Sequence, residues 1–276
     1  MDINLVFIVF GEYEKLPIIQ SCIAHSIDRI KPKSTTILNQ KDLDEICKQS
    51  FHYEKHKDHG CFASDVARLL YLQRNPHTLY LDADSEITQE TLDFIESHID
   101  DSIIAGWQTL DSKKVSTCSG SFCYRGAQPS ILFDEMIKKY EETAHQGKLL
   151  TDTTIVDEFF TPESTDVEGA VAKYFDTLVF DNKGLHLNTS NIIYMKNQLK
   201  NAYPITLIKE YKLYEKKVVN PGFYILVVDP MHVGEVTQNI MWGVQVVLWT
   251  ALIPFHLQES FIETLKIFFP HLREID

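Results

Sequence analysis

Leu5–Phe10 is an unbroken apolar run with β-branched residues at Val6, Ile8 and Val9, and it stops at Gly11. A strand of that kind needs cover on both faces. The next segment, Pro17–Ile30, places Ile19, Ile23 and Ile27 at helical spacing, and Thr35–Leu38 is a second short strand. A strand, a helix and a strand in that order predict a crossover connection and a parallel sheet with helices on its faces.

The pattern continues downstream. Asp42–Cys47 reads as a short helix and the polar Phe51–Gly60 as a loop. Ser64–Gln73 reads as a helix with Ser64 as N-cap and Asp65 at its positive end, closed by Asn75-Pro76. Thr78–Leu81 is the next strand. Thr88 caps a helix carrying Leu92, Ile95 and Ile99 on one stripe, and Ser102–Trp107 and Ser121–Tyr124 are further strands. Pro129 opens a helix with Leu132, Met136 and Tyr140 on one face, ended near Gly147, and Leu178–Phe180 is a late strand. After about Tyr203 the character changes. Lys209–Lys217 is densely charged, Asn220-Pro221-Gly222 is a break, Phe223–Val228 is a strand, and two helices are expected to finish the chain. The expected division is an α/β domain over 1–200 with a mainly parallel sheet, and a mostly helical appendage over 201–276.

Composition narrows the partners. The net charge is −13, so a phosphate-coated polymer would be repelled and nucleic-acid binding is excluded as a first reading. A small phosphorylated ligand remains compatible if a metal or a local arginine supplies positive charge. The cysteines are Cys22, Cys47, Cys61, Cys118 and Cys123, without a CxxC pair, and they read as reduced thiols of a cytoplasmic protein. No cationic segment precedes the first apolar run, so no signal sequence is expected. Ile240–Pro254 is shorter than the ~20 residues a bilayer span needs and contains Gln245. It reads as a buried helix, with Trp242 and Trp249 on one stripe, or as a surface-docking helix giving peripheral membrane contact through 240–256.

The residues richest in chemistry follow the third strand. Leu79-Tyr80-Leu81 runs into Asp82-Ala83-Asp84, and the carboxyl end of a strand in an open α/β sheet is where ligands bind. On an extended strand the two Asp residues would share a face, ~6–7 Å apart at Cα. One could ligate a divalent ion directly and the other through a bound water. Two carboxylates beside a pyrophosphate would repel it by about 4 kcal/mol at an effective dielectric of 20. A bridging Mn²⁺ or Mg²⁺ reverses that sign and stabilises a departing nucleoside diphosphate. Upstream, Asp65 and Arg68 stand at i and i+3 of a helix in a chain with few arginines: Arg29, Arg68, Arg74, Arg125 and Arg273.

The run F-A-S-D-V-A-R-L-L-Y-L (Phe62–Leu72) followed by L-Y-L-D-A-D (Leu79–Asp84) resembles the sugar-binding DXD region of glycosyltransferase family 32. That family includes initiating mannosyltransferases, capsular sugar transferases and glucosylating toxins. The family's glycine pair is replaced here by Asn75-Pro76-His77-Thr78. The apolar strand ending in Phe10-Gly11 fits the opening of the same domain, a Rossmann-like, GT-A-type fold. The resemblance implies that Asp65 and Arg68 hold donor-sugar hydroxyls, with Arg68 also near the pyrophosphate. It implies that Asp82 contacts the ribose and the hydrated metal, that Asp84 ligates the metal, and that Tyr80 lines the nucleotide pocket, with Phe10 and Gly11 at its edge. A late loop in such enzymes completes the metal site. Gly184–Asn191 matches its histidine and serine at His186 and Ser190, with Asn191 in place of tryptophan. The implied activity is retaining transfer of a hexose or N-acetylhexosamine from a nucleotide sugar, UDP-sugar favoured, to a hydroxyl of a glycan or protein.

Two rivals share some of these residues. A haloacid-dehalogenase-like phosphatase also carries D-x-D at a strand end, with Asp82 as nucleophile, and needs a later acidic pair; Asp100-Asp101 follows too soon. A sugar-nucleotide-binding module without turnover would keep the same side chains. His52, His56 and His59 read as a solvated loop that could cover the donor pocket. Trp107 reads as core, and Ser119–Ser121 and Asp152–Thr154 as lining of the donor or acceptor side.

Overall fold

The computed structural model describes residues 1–108, 115–117, 121–150, 152–167, 170–181, 185–187, 205–210, 222–228, 246–268, 270 and 273–275. The chain divides into two compact units, one of Met1–Glu14 with Ile23–His186 and one of Lys15–Cys22 with Leu187–Asp276.

In the first unit the expected opening is present: β1 (Asn4–Ile8), then α1 (Pro17–Ile30), whose first residues belong to the second unit, then β2 (Ser34–Leu38). Asn39 caps α2 (Gln40–Ile46) in a reciprocal box with Asp42. Next come α3 (Phe51–His56), α4 (Gly60–Arg74), β3 (Thr78–Leu81), β4 (Ser85–Glu86), α5 (Gln89–Ser97) and β5 (Ser102–Gln108). The unit continues with β6 (Val115–Thr117), β7 (Phe122–Arg125), α6 (Ile131–His145), α7 (Asp152–Phe159), β8 (Ser164–Val167), β9 (Ala170–Tyr174), β10 (Thr177–Asp181) and β11 (Leu185–His186). Thr88 caps α5 as expected, accepting from the Thr91 amide. Ser130, one residue past the expected Pro129, caps α6.

The main sheet is nine-stranded among the described residues, in the order β2-β1-β3-β7-β5-β10-β9-β8 with β6 on β5. Strands β1, β2, β3, β5, β8 and β10 run one way, and β6, β7 and β9 run against them. This is a mixed α/β domain with a Rossmann-like start. From β1 the chain goes to β2 on one side and later returns as β3 on the other. The sequence order therefore reverses between β1 and β3, and the crevice beyond their carboxyl ends is where an open sheet of this kind binds ligands. One face of the sheet is sealed by a cluster joining Val6, Ile8, Tyr80, Ile104 and Val179 to Ala63, Val66, Ala67 and Leu69 of α4 and Leu132, Phe133 and Met136 of α6.

Two local expectations fail in this unit. Phe51–Gly60 is not a loop: Ser50 caps α3 and receives help from Glu141, whose Oε2 accepts the Phe51 and His52 amides at 2.9 and 3.2 Å. Helix α4 starts at Gly60 rather than after Ser64, and Ser64 sits inside it, its hydroxyl donating back to the Cys61 carbonyl at 2.8 Å instead of capping.

The second unit corrects the expected helical appendage. It holds a four-stranded sheet in the order β14 (Val246–Ile253), β13 (Gly222–Val228), β12 (Ile205–Glu210), β15 (Arg273–Ile275). The pairs β14–β13 and β13–β12 are antiparallel and β12–β15 is parallel. The expected Trp-rich helix is in fact strand β14, in which Trp249 stands opposite Leu226; Trp242 lies outside the described residues. The final amphipathic helix is present as α8 (Gln258–Phe268). Thr264 of α8 accepts the Ile18 amide at 3.0 Å, satisfying one of the orphan donors in the first turn of α1. Among the described residues no helix is long and apolar enough to cross a membrane.

Candidate functional site

The crevice beyond β1 and β3 is walled by three pieces of chain: the turn after β3, the residues after β1, and the first half of α4. Arg68 is the centre of it. Its side chain is 3% exposed, it pairs with Asp65 one turn back on α4, and its Nη1 lies 3.9 Å from Asp82 Oδ1. The guanidinium also stands over the Tyr80 ring, 5.2 Å from Cζ to the centroid. Tyr80 completes the chain of contacts by donating its hydroxyl to Asp82. Burial first, and the Asp82 charge second, hold the Tyr80 phenol well above its ordinary range, so it remains a donor. The sequence-predicted Asp65, Arg68, Tyr80 and Asp82 thus form one connected cluster.

The turn itself departs from the expected geometry. The chain leaves β3 after Leu81, and the Ser85 amide donates to the Asp82 carbonyl at 3.0 Å. Asp82 and Asp84 therefore flank a tight turn and are not alternate residues of an extended strand. Asp84 is 9% exposed, and Asp82 is fastened through its amide to the Ser121 carbonyl at 3.4 Å. Ser121 is thereby placed at the site through its backbone, while Ser119 and Gly120 lie outside the described residues. Of the Asp152–Thr154 segment the structure shows its place in the first turn of α7, and Trp107 lies in β5 opposite Ser116.

Directly after the turn, β4 forms an antiparallel ladder with β11, in which Ser85 stands opposite His186 and Glu86 opposite Leu185. The backbone of His186 is thus paired with the residue following Asp84. Ser190 lies outside the described residues. Glu86 is buried and meets His25 of α1, 3.1 Å from Oε1 to Nδ1, a contact not foreseen in the sequence.

On the β1 side, Phe10 and Gly11 take different parts. Gly11 has φ +67°, a left-handed conformation that side-chain-bearing residues adopt at a cost. Phe10 lies against the start of α4 so closely that a Cβ on Gly60 would be 2.5 Å from Phe10 Cε2. A side chain at Gly60 would therefore have to displace the Phe10 ring, whereas nothing in its own backbone calls for glycine. The α4 N-cap, His59, supplies no side-chain acceptor; the Cys61 sulfur faces the first-turn amides of Cys61 and Phe62 instead.

Tyr13 is the residue that sequence reasoning missed. It follows Gly11 in a short 3-10 helix, Gly11–Lys15, and its phenol is pushed up to about 12, first by burial, then by the charges of Asp84 and Cys61. Those neighbours place it at the aspartate turn. The only advance sign was its position just past a strand that ends at the switch point. Cys61 is likewise at the crevice, its thiol held up by burial and by Asp65.

The cluster carries the carboxylates of Asp65, Asp82 and Asp84 against the one guanidinium of Arg68. Carboxylate oxygens of this kind are the hard donors that Mn²⁺ or Mg²⁺ takes. The pair Asp100-Asp101 immediately precedes β5, at the opposite rim of the sheet from Asp82. An acidic pair there cannot assist a nucleophilic Asp82, which removes the geometric basis of the phosphatase reading.

No protein-family model matches the chain, and comparison with curated proteins gives no match. Among solved structures the chain is similar to 4-diphosphocytidyl-2C-methyl-D-erythritol synthase from Anaerococcus prevotii, with 12% identity and a TM-score of 0.38, over 72% of this chain and 96% of that one.

Proposed function

We propose that the protein is a metal-dependent glycosyltransferase of the GT-A type. It moves a hexose or N-acetylhexosamine, with retention, from a nucleotide sugar (a UDP-sugar in the favoured case) to a hydroxyl of a glycan or protein acceptor. The observation that carries this reading is the linked set Asp65–Arg68–Asp82, braced on Tyr80, at the switch point of the sheet and one turn from Asp84.

Each residue has a task set by its surroundings. Asp65, rigid in its pair with Arg68, is suited to accept hydrogen bonds from sugar hydroxyls. Arg68 is held in place before any ligand arrives, so its positive charge needs no reorganisation to meet a departing diphosphate. Tyr80 fixes the orientation of Asp82 through its hydroxyl. Asp82, Asp84 and His186 would hold Mn²⁺ or Mg²⁺, which when bound supplies charge neutralisation for the leaving group.

The test is a panel of nucleotide sugars incubated with Mn²⁺, scored for diphosphate release with wild type and Asp84→Ala. Release from at least one donor by wild type, lost in the variant, is the expected result. If wild type neither consumes nor binds any donor, the reading fails. Donor binding without turnover on any acceptor would favour the binding-module alternative.

A further inference from the structure

At the rim of the sheet opposite the aspartate turn lies a buried cation that the proposed chemistry does not use. Arg125 ends β7 and is 4% exposed, and its Nε and Nη1 are buried without a hydrogen-bond partner among the described residues. Among the described residues it forms no ion pair, and burial lowers its pKa. A guanidinium taken out of water without a counter-charge is strongly disfavoured. Its retention at a fully built position calls for an anion.

The surroundings are polar and fixed. Thr78 stands opposite Arg125, Ile103 opposite Tyr124, and Thr177 opposite Ser102. Register therefore places Thr78, Arg125, Ser102 and Thr177 side by side across four strands. Each is two residues from a member of the core cluster under α4 and α6, namely Tyr80, Cys123, Ile104 and Val179. With a side-chain period of two, all four project on that same face. The neighbouring hydroxyls are buried, and Ser130 Oγ lies 2.8 Å from Thr177 Oγ1. Above them the end of α4 is tied to the start of α6, because Gln73 donates to the Ser130 carbonyl at 2.8 Å and accepts its amide at 3.0 Å. The backbone after Arg125 has no freedom either: a Cβ on Gly126 would lie 2.1 Å from the Asp100 carbonyl oxygen.

The nearby α6 N-terminus is not the site. Asp176 already serves it, accepting the Ile131 amide at 2.8 Å and the hydroxyls of Ser130 and Thr177 at 3.3 Å each, which leaves Arg125, Thr78 and Ser102 as the groups nearest the proposed anion. We infer that Arg125 anchors a second site, at the strand-start rim between the ends of α4 and α6, for one small oxyanion, the phosphate or carboxylate group of a small molecule. A guanidinium flanked by hydroxyls suits either group.

The experiment titrates the full chain with inorganic phosphate and, separately, acetate, at ionic strength held constant with chloride. In wild type, at about a hundred times the dissociation constant, Tm rises by about 5 °C with at least one of the two anions. The rise is absent in Arg125→Gln and retained in Asp84→Asn, which separates this site from the donor crevice. Phosphate acting alone or acetate acting alone identifies the group recognised. A second measurement needs no variant of Arg125 to fold: in protein carrying ¹⁵N-arginine, the buried Arg125 Nε–H signal shifts saturably with the active anion. Equal stabilisation of Arg125→Gln, or no anion-dependent change in either measurement, overturns the inference.

Discussion

Arg68 lies over the face of Tyr80 with 5.2 Å between Cζ and the ring centroid, while the hydroxyl of the same ring donates to Asp82. One aromatic ring thus orients a buried cation through its face and a half-buried anion through its edge.

The first prediction concerns that cation. Arg68→Met leaves Asp65 buried beside a neutral side chain, and an uncompensated buried carboxylate costs about 3–5 kcal/mol. Urea unfolding should show a loss of that order. The double variant Asp65→Asn with Arg68→Met should recover part of it, because the buried Asp65 charge is then gone and only the more exposed Asp82 has lost Arg68, yet it should not recover nucleotide-sugar binding. Equal stability of the single and double variants would mean that the pair is not the buried unit described.

Gly60 and Gly11 should behave differently. In Gly60→Ala the new methyl meets the Phe10 ring, so the ring must swing aside at a cost of about 1–3 kcal/mol. Adding Phe10→Ala should abolish that penalty, leaving a non-additive pair in a double-mutant cycle. Gly11→Ala meets no atom within 4 Å. Its cost, about 1–2 kcal/mol, is backbone strain alone, and Phe10→Ala should not relieve it.

Tyr13 reports on the aspartate turn. Its phenol is pushed up to about 12, first by burial and then by the negative charge of Asp84. Asp84→Asn removes that charge and should lower the titration midpoint. Ultraviolet titration of the phenolate, with the other tyrosines followed as controls, reads the effect, and an unmoved midpoint in Asp84→Asn would separate Tyr13 from the turn.

His52 makes stability depend on pH. Its ring is packed against His56 and Tyr140, and Nε2 lies 3.1 Å from the Phe62 carbonyl oxygen. Burial lowers its pKa, as it does that of His56. The unfolded chain then binds more protons than the folded one below about pH 6.5, so stability falls as pH drops from there toward the folded-state pKa values. The slope is at most about 1.4 kcal/mol per pH unit for each group. Denaturant midpoints between pH 7 and pH 5 should decline in wild type and decline less in His52→Gln.

The parts of the fold that could be read in the sequence are those where one period dominates. Pro17–Ile30 and β3 were legible because nothing competed with their apolar patterns, and Thr88 because its hydroxyl has an amide to cap. The cluster of Asp65, Arg68 and Asp82 was legible from spacing and residue type. Helix α3 was not, because its N-terminus is satisfied by Glu141 from α6, a partner far away in sequence. Strand β14 was not, since Ile240–Pro254 is apolar throughout and such a run carries no period with which to tell a strand from a helix. Tyr13 and Gly60 owe their roles to contacts across the crevice, which no local pattern records.

The two-residue ladder between Ser85–Glu86 and Leu185–His186 joins stretches of chain that leave the ribosome at very different times. A nascent polypeptide can form the opening β-α-β and the aspartate turn early, but this corner must wait until residue 186 has emerged. Truncations that stop short of that point would carry every acidic residue of the crevice and still lack the strand that crosses behind them.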